Sequence, residues 1–208
     1  MSATISRQTA NSPPAFGPVP GSEESRKGAP LCELLIRGKP LPPRAAFWIA
    51  RQIAAAMRSR AAAGYAHGGL CPAHVFVDDR SDVLLIGPGS GTAIGDEVRG
   101  GAEMAEYLAP ERQLAVPYDP LLADVYSLGV MLFEMLAGRP PFVSDNGDDL
   151  PRLHRQAKPP RIRNADSRIP AEGVELVDSL LRKEPLRRPR DLTAIVRTLI
   201  DVELRIMG

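Results

Sequence analysis

Residues 123–137 read Ala-Asp-Val-Tyr-Ser-Leu-Gly-Val-Met-Leu-Phe-Glu-Met-Leu-Ala, the most apolar helical segment of the chain. A helix with apolar residues around most of its circumference is buried on all sides, so the rest of the fold has to be wrapped about it. Gly138 supplies a C-cap, and Pro140-Pro141 stop the helix from continuing. The longest apolar stretch, residues 125–136, is 12 residues long and carries Glu134. A bilayer span needs about 20. This is the expected central helix of a globular core, and no membrane partner is expected.

Other segments supply the wrapping. Pro42-Pro43 open a helix in its first turn, and Ala46, Ile49, Ala50, Ile53, Ala54 and Met57 then recur at spacings of three and four. That period predicts a long helix to about residue 62, ended by Gly64. A short helix is expected over 31–36, closed by Gly38. Weaker helices are expected near 146–156 and 171–183, and a last one begins after Pro189 with Asp191 as N-cap and runs to about residue 205. Residues 75–77 and 83–86 flank the polar turn 78–82 and read as a small hairpin. The stretch 87–101 holds six glycines and no apolar period, which reads as a loop. About six helices and one hairpin make a mainly α domain.

Composition narrows the function. The chain has 208 residues, 44% hydrophobic and 25% charged, with a net charge of +1. So small a net charge gives no global field to attract nucleic acid. The charge is unevenly spread, however: residues 1–77 carry 9 basic and 3 acidic side chains, residues 78–149 carry 4 and 14, and residues 151–208 carry 13 and 8. The acidic stretch 96–124 is therefore one candidate partner surface. Cys32 and Cys71 make no disulfide framework, and Arg7 and Gln8 stand where a signal peptide has its apolar core. A cytoplasmic location is expected. Residues 1–30, with Pro13, Pro14, Pro18, Pro20 and Pro30, read as a disordered leader to a domain over 31–208.

Residues 67–76 read His-Gly-Gly-Leu-Cys-Pro-Ala-His-Val-Phe. Further on come Leu85-Ile86-Gly87-Pro88-Gly89, Tyr107-Leu108-Ala109-Pro110-Glu111, Asp124-Val125-Tyr126-Ser127-Leu128-Gly129, Gly138-Arg139-Pro140-Pro141-Phe142 and Arg188-Pro189. In this order and at these joints, residues 31–205 resemble the C-terminal lobe of bacterial-type serine/threonine protein kinases. The decapeptide has the frame of that family's catalytic loop, His-Arg-Asp-Leu-Lys-Pro-Glu-Asn, with His67, Leu70 and Pro72 in place. Neither a Gly-rich phosphate-covering loop nor a Val-Ala-Ile-Lys strand precedes it, so the family's upper β-lobe is expected to be missing.

The resemblance assigns structural work to the matching residues. Glu111 and Arg188 would form a buried ion pair, Asp124 would accept hydrogen bonds from the catalytic-loop backbone, and His67 would pack beneath it. The chemical positions differ. Gly69 stands where the family has its base aspartate, Gly68 its arginine, Cys71 its phosphate-facing lysine, His74 its metal-binding asparagine and Gly87 the aspartate of Asp-Phe-Gly, whose glycine is Gly89. Phosphoryl transfer rests on positioning and charge neutralisation, and magnesium takes hard oxygen ligands, which glycine cannot offer. No catalytic residue is thus intact and no cofactor is expected. The resemblance so modified implies a pseudoenzyme that binds a protein partner. The alternative is a divergent kinase with residual ATP- and magnesium-dependent transfer, its ligands recruited from Asp78, Asp79 or Asp82.

Other chemistries fit the spacing less well. Gly87, Gly89 and Gly91 follow a strand, but a dinucleotide fingerprint needs its third glycine at the position of Thr92. His67, Cys71 and His74, with Cys32 as a fourth ligand, could suggest zinc, yet H-x3-C-x2-H matches no common structural site. A Cys71–His67 nucleophile pair lacks an oxyanion device. The Asp78, Asp79 and Asp82 cluster reads as a solvated turn rather than a calcium site.

Overall fold

The computed structural model describes residues 28–86, 92–93, 102–114, 116–144, 149–162 and 168–208. Among them are six helices: α1 (Leu31–Leu34), α2 (Pro43–Ala62), α3 (Pro120–Ala137), α4 (Leu150–Gln156), α5 (Ala171–Leu180) and α6 (Leu192–Met207). Five short strands join them: β1 (Gly28–Pro30), β2 (Tyr65–Ala66), β3 (Val75–Asp78), β4 (Val83–Leu85) and β5 (Thr92–Ala93). The mainly α class expected from the periodicities is what the chain adopts.

The central helix is α3. It begins three residues before its apolar run because the Asp119 carboxylate accepts from the Leu121 and Leu122 N–H groups at 2.9 and 3.4 Å, with Pro120 in the first turn. A capped N-terminus of this kind is worth about 1 kcal/mol. By length and apolarity α3 could cross a membrane, but 94% of it is buried inside the protein, so its apolarity serves the core. Helix α5 lies against it at Gly129, where a Cβ would meet the Leu180 Cβ at 2.7 Å. Only a residue without a side chain permits that approach.

Helix α2 buries the stripe that its period marks, with Phe47 added, and packs against α3 and α6. Helix α6 starts where Asp191 accepts from Thr193 N–H at 2.8 Å and buries Leu192, Ile195, Val196, Leu199 and Val202. Helix α5 ends at Leu180 rather than near 183, and α4 begins at Leu150.

The expected hairpin is present, in register Val75↔Leu85, Phe76↔Leu84 and Val77↔Val83. A third strand was not expected. Residues 28–30, assigned above to the leader, form β1 and pair antiparallel with β3 (Gly28↔Asp78, Pro30↔Phe76). Three residues that pair with a distant strand carry no period of their own. For the same reason the segment read as a loop over 87–101 contains β5, which pairs with β2 (Tyr65↔Ala93, Ala66↔Thr92). Its remaining residues, Gly87 and Gly89 included, lie outside the described residues.

Helix α2 fixes the hairpin turn. The Gln52 amide donates to the Ser81 carbonyl at 2.7 Å and accepts from Val83 N–H at 3.1 Å, while the Trp48 indole donates to Ser81 at 3.2 Å. Asp78 Oδ1 accepts from the Arg80 and Asp82 N–H groups at 2.9 and 2.8 Å, closing the turn on itself. This rigid support holds the loop between β2 and β3.

Candidate functional site

That loop, residues 67–74, is the candidate site. Gly68 takes the left-handed conformation (φ 74°), which costs glycine nothing sterically, and its N–H turns inward. Asp124 on α3 meets it. The buried carboxylate accepts from His67 N–H at 2.7 Å and from Gly68 N–H at 2.9 Å (Oδ2) and 3.0 Å (Oδ1). Burial raises the Asp124 pKa to about 6, against the pull of these N–H groups and of Arg112.

The His67 ring is buried beside this anchor. Its Nε2 lies 3.3 Å from the Ile86 carbonyl, and its Nδ1 has no partner among the described residues. Burial first, and then the Arg60 charge, lower its pKa to about 4. The ring is therefore neutral near pH 7, with Nε2–H as the donor to Ile86.

Cys71 is fully buried, and its Sγ lies 3.4 Å from His74 Nδ1. That same Nδ1 is 2.7 Å from the Gly69 carbonyl and donates to it. The two imidazole rings stand 5.6 Å apart. His67, Cys71 and His74 are thus brought together, but both imidazoles point a nitrogen at a backbone carbonyl. Among the described residues no three His, Cys, Asp or Glu side chains converge as metal ligands. Cys32 is exposed on α1. The thiol, buried in apolar surroundings, has the setting of an inert cysteine.

The position that the resemblance gives to the base is Gly69. A Cβ built there would lie 3.0 Å from Met104 Cε and 3.4 Å from its Sδ. A buried thioether from the turn Ala102–Tyr107 therefore fills the space beside the missing side chain. Asp78, one candidate recruit for magnesium, is buried and uses Oδ1 in its own turn.

Around this loop several buried polar groups are paired. Arg188 and Glu111 form a bidentate pair, Nη1 to Oε1 at 2.6 Å and Nη2 to Oε2 at 2.8 Å. Arg188 also donates to the carbonyls of Arg182 (2.7 Å), Leu122 (2.8 Å) and Lys183 (3.0 Å). All five guanidinium N–H groups are used, and the side chain is fully buried. The Tyr107 hydroxyl donates to Glu134 at 2.7 Å, and the Ser127 hydroxyl donates to the Tyr107 carbonyl at 2.8 Å, tying residues 107–111 to α3. Burial raises the Glu134 pKa.

The acidic stretch 96–124 changes meaning here. Glu106 pairs with Arg37 at 2.9 Å, Glu111 with Arg188, Asp119 with Arg190 at 2.5 Å, and Asp124 holds the loop. Each of its described carboxylates has a partner; Asp96, Glu97 and the Glu103 side chain lie outside the described residues. Sequence reasoning also missed Met104 and the Tyr107–Glu134 contact. The available signals were the closeness of Met104 to Tyr107-Leu108-Ala109-Pro110-Glu111 and the lone charge of Glu134 in the apolar run.

A buried helix wrapped by others, with a small sheet presenting a loop anchored on a helical aspartate, is a kinase-like arrangement. Residues 22–198 match the model of the protein kinase domain, and the chain belongs to that family. It is 30% identical over 173 residues to serine/threonine-protein kinase PknL of Mycobacterium tuberculosis, covering 81% of this chain and 43% of PknL. Serine/threonine-protein kinases drp72 of Corynebacterium efficiens is 29% identical over 182 residues (86% of this chain, 34% of the relative). Serine/threonine-protein kinase PrkC of Bacillus subtilis is 25% identical over 184 residues (85% and 28%). The chain spans less than half the length of these curated relatives.

Proposed function

We propose that the chain is a kinase-like pseudoenzyme, a protein-binding or regulatory scaffold that does not carry out ordinary phosphoryl transfer. The observation that carries this reading is Gly69 with Met104 packed beside it. A general base contributes two to four orders of magnitude in rate (about 10²–10⁴-fold), and none can act from a position with no side chain. Nor do the neighbours replace it. His74 donates from Nδ1 to a backbone carbonyl, Cys71 is buried, and Asp78 closes its own turn. Magnesium chemistry would need hard oxygen ligands on this loop. With no such chemistry proposed, no cofactor is assigned.

In this reading the lower lobe is the working unit, acting in the cytoplasm on a protein partner rather than on nucleic acid or a membrane. Leu84 and Ile86 stand exposed at the hairpin, 43% and 40% accessible, and offer such a partner an apolar contact. The test is incubation of the full chain with magnesium, γ-labelled ATP and casein. Label incorporation at the level of heat-denatured protein is expected. Sustained magnesium-dependent turnover would overturn the reading.

A further inference from the structure

A cavity of about 680 Å³ opens between the C-terminal end of α4, helix α5 and the turn Pro185–Arg187. No residue of the 67–74 loop lines it. Lys183 is part of its wall and is half-buried. The ammonium donates to the Tyr126 hydroxyl at 3.3 Å and stands 3.9 Å from the centre of the Phe142 ring. Both partners are neutral. The full charge beside it is the Arg188 guanidinium, and no carboxylate among the described residues lies within ion-pair distance of Lys183. Burial and the Arg188 charge lower the Lys183 pKa to about 8. A cation already stripped of part of its water gains more from an incoming anion than an exposed lysine does.

The rest of the lining points the same way. Lys158, Arg161 and Arg182 are exposed at the cavity without ion-pair partners among the described residues. Glu184 is neutralised by Arg187 at 2.7 Å. Among the described lining residues, Glu175 and Asp178, exposed on α5, oppose these charges. Four cations against two carboxylates leave two positive charges in excess. Val174 and Leu181 supply an apolar strip between them.

We propose that this cavity docks an acidic peptide segment carrying two carboxylates beside an apolar side chain, with Lys183 receiving one carboxylate. The docking stands apart from the catalytic loop, and its test uses no nucleotide, so it fails or succeeds independently of the pseudoenzyme reading. The probe is a fluorescein-labelled peptide, Glu-Leu-Glu-Glu-Leu-Glu, followed by anisotropy on the full chain, with its all-glutamine counterpart as control. Saturable binding of the acidic peptide is expected, with the glutamine peptide about tenfold weaker or worse. Lys183→Met keeps the contact with Phe142 and deletes the charge; it should weaken binding about tenfold. The exposed pair Lys158→Glu and Arg161→Glu should do likewise with an unchanged denaturation midpoint, which decides the matter if Lys183→Met fails to fold. Equal affinity for the glutamine peptide, or unchanged binding by the Lys158/Arg161 variant, would overturn the assignment.

Discussion

At Arg188 every guanidinium N–H has a partner and the facing carboxylate is gripped by two of them. In the loop at 67–74 a buried imidazole nitrogen has none among the described residues, and the neighbour of a glycine is a methionine methyl. Both regions rest on α3, where the Leu122 carbonyl accepts from Arg188 and the Asp124 carboxylate accepts from the His67 and Gly68 N–H groups. In the proposed reading the difference teaches that charge is kept where the fold depends on it, while glycine stands where the kinase resemblance places the phosphate chemistry. One-sided loss of a buried pair is costly whatever the protein does, whereas a glycine in an anchored loop costs the fold little.

The largest expected effect lies at the ion pair. Glu111→Gln or Arg188→Met leaves one charge buried alone and should remove about 3–5 kcal/mol of stability by chemical denaturation. Replacing His74 with Ala should cost well under that. If the two costs were equal, the contrast between the regions would collapse.

Acid should expose the next effect. His67 and His154 are both buried, with pKa values lowered to about 4 from 6.5. The unfolded chain therefore binds more protons than the folded one between those values, and stability present above pH 6.5 is lost as pH falls toward 4. Asp124 runs the other way. Its folded value, about 6, lies above 3.8, so the folded state takes its proton first and regains stability as pH falls through that window. Two histidine contributions of about 3 kcal/mol each are opposed by Asp124 and by Glu134, whose pKa burial also raises, so the loss on acidification is smaller than the histidines' sum. Denaturant titrations from pH 7 to 4 measure it, and His154→Phe should flatten the curve.

Gly69→Asp comes third. It should restore no phosphotransfer and should cost about 1 kcal/mol through its contact with Met104, a cost that Met104→Ala in the same chain relieves. Recovery of activity by Gly69→Asp alone would show that the missing side chain is the whole lesion. The smallest effect is expected at Arg37, 69% exposed and paired with Glu106. Arg37→Ala should change stability by about 0.5 kcal/mol or less.

How much of this was legible in the sequence follows from the range of the interactions. Helices α2, α3 and α6 announce themselves through local period and caps: Pro43, Asp191 and Gly138 stand where local chemistry puts them. Strands β1 and β5 do not, because three and two residues are held only by partners about 50 and 30 positions away. The same holds at the site. Gly69 and His74 could be read from their place in the loop, but Met104 comes to Gly69 across 35 positions. His154 falls in the weaker helix expected near 146–156 and is fully buried, 3.0 Å from the Tyr126 hydroxyl, because Phe142 and Tyr126 enclose it. In the acidic stretch, composition does not tell a carboxylate facing water from one facing an arginine, as Glu111 shows.

The most direct measurement is the melting temperature of the full chain with and without millimolar ATP and magnesium, repeated with EDTA. If the loop lacks every group that would grip a metal-bound triphosphate, the midpoint should stay the same in all three conditions. A rise of several degrees that EDTA abolishes would mean that oxygen ligands do reach the loop, contradicting the account.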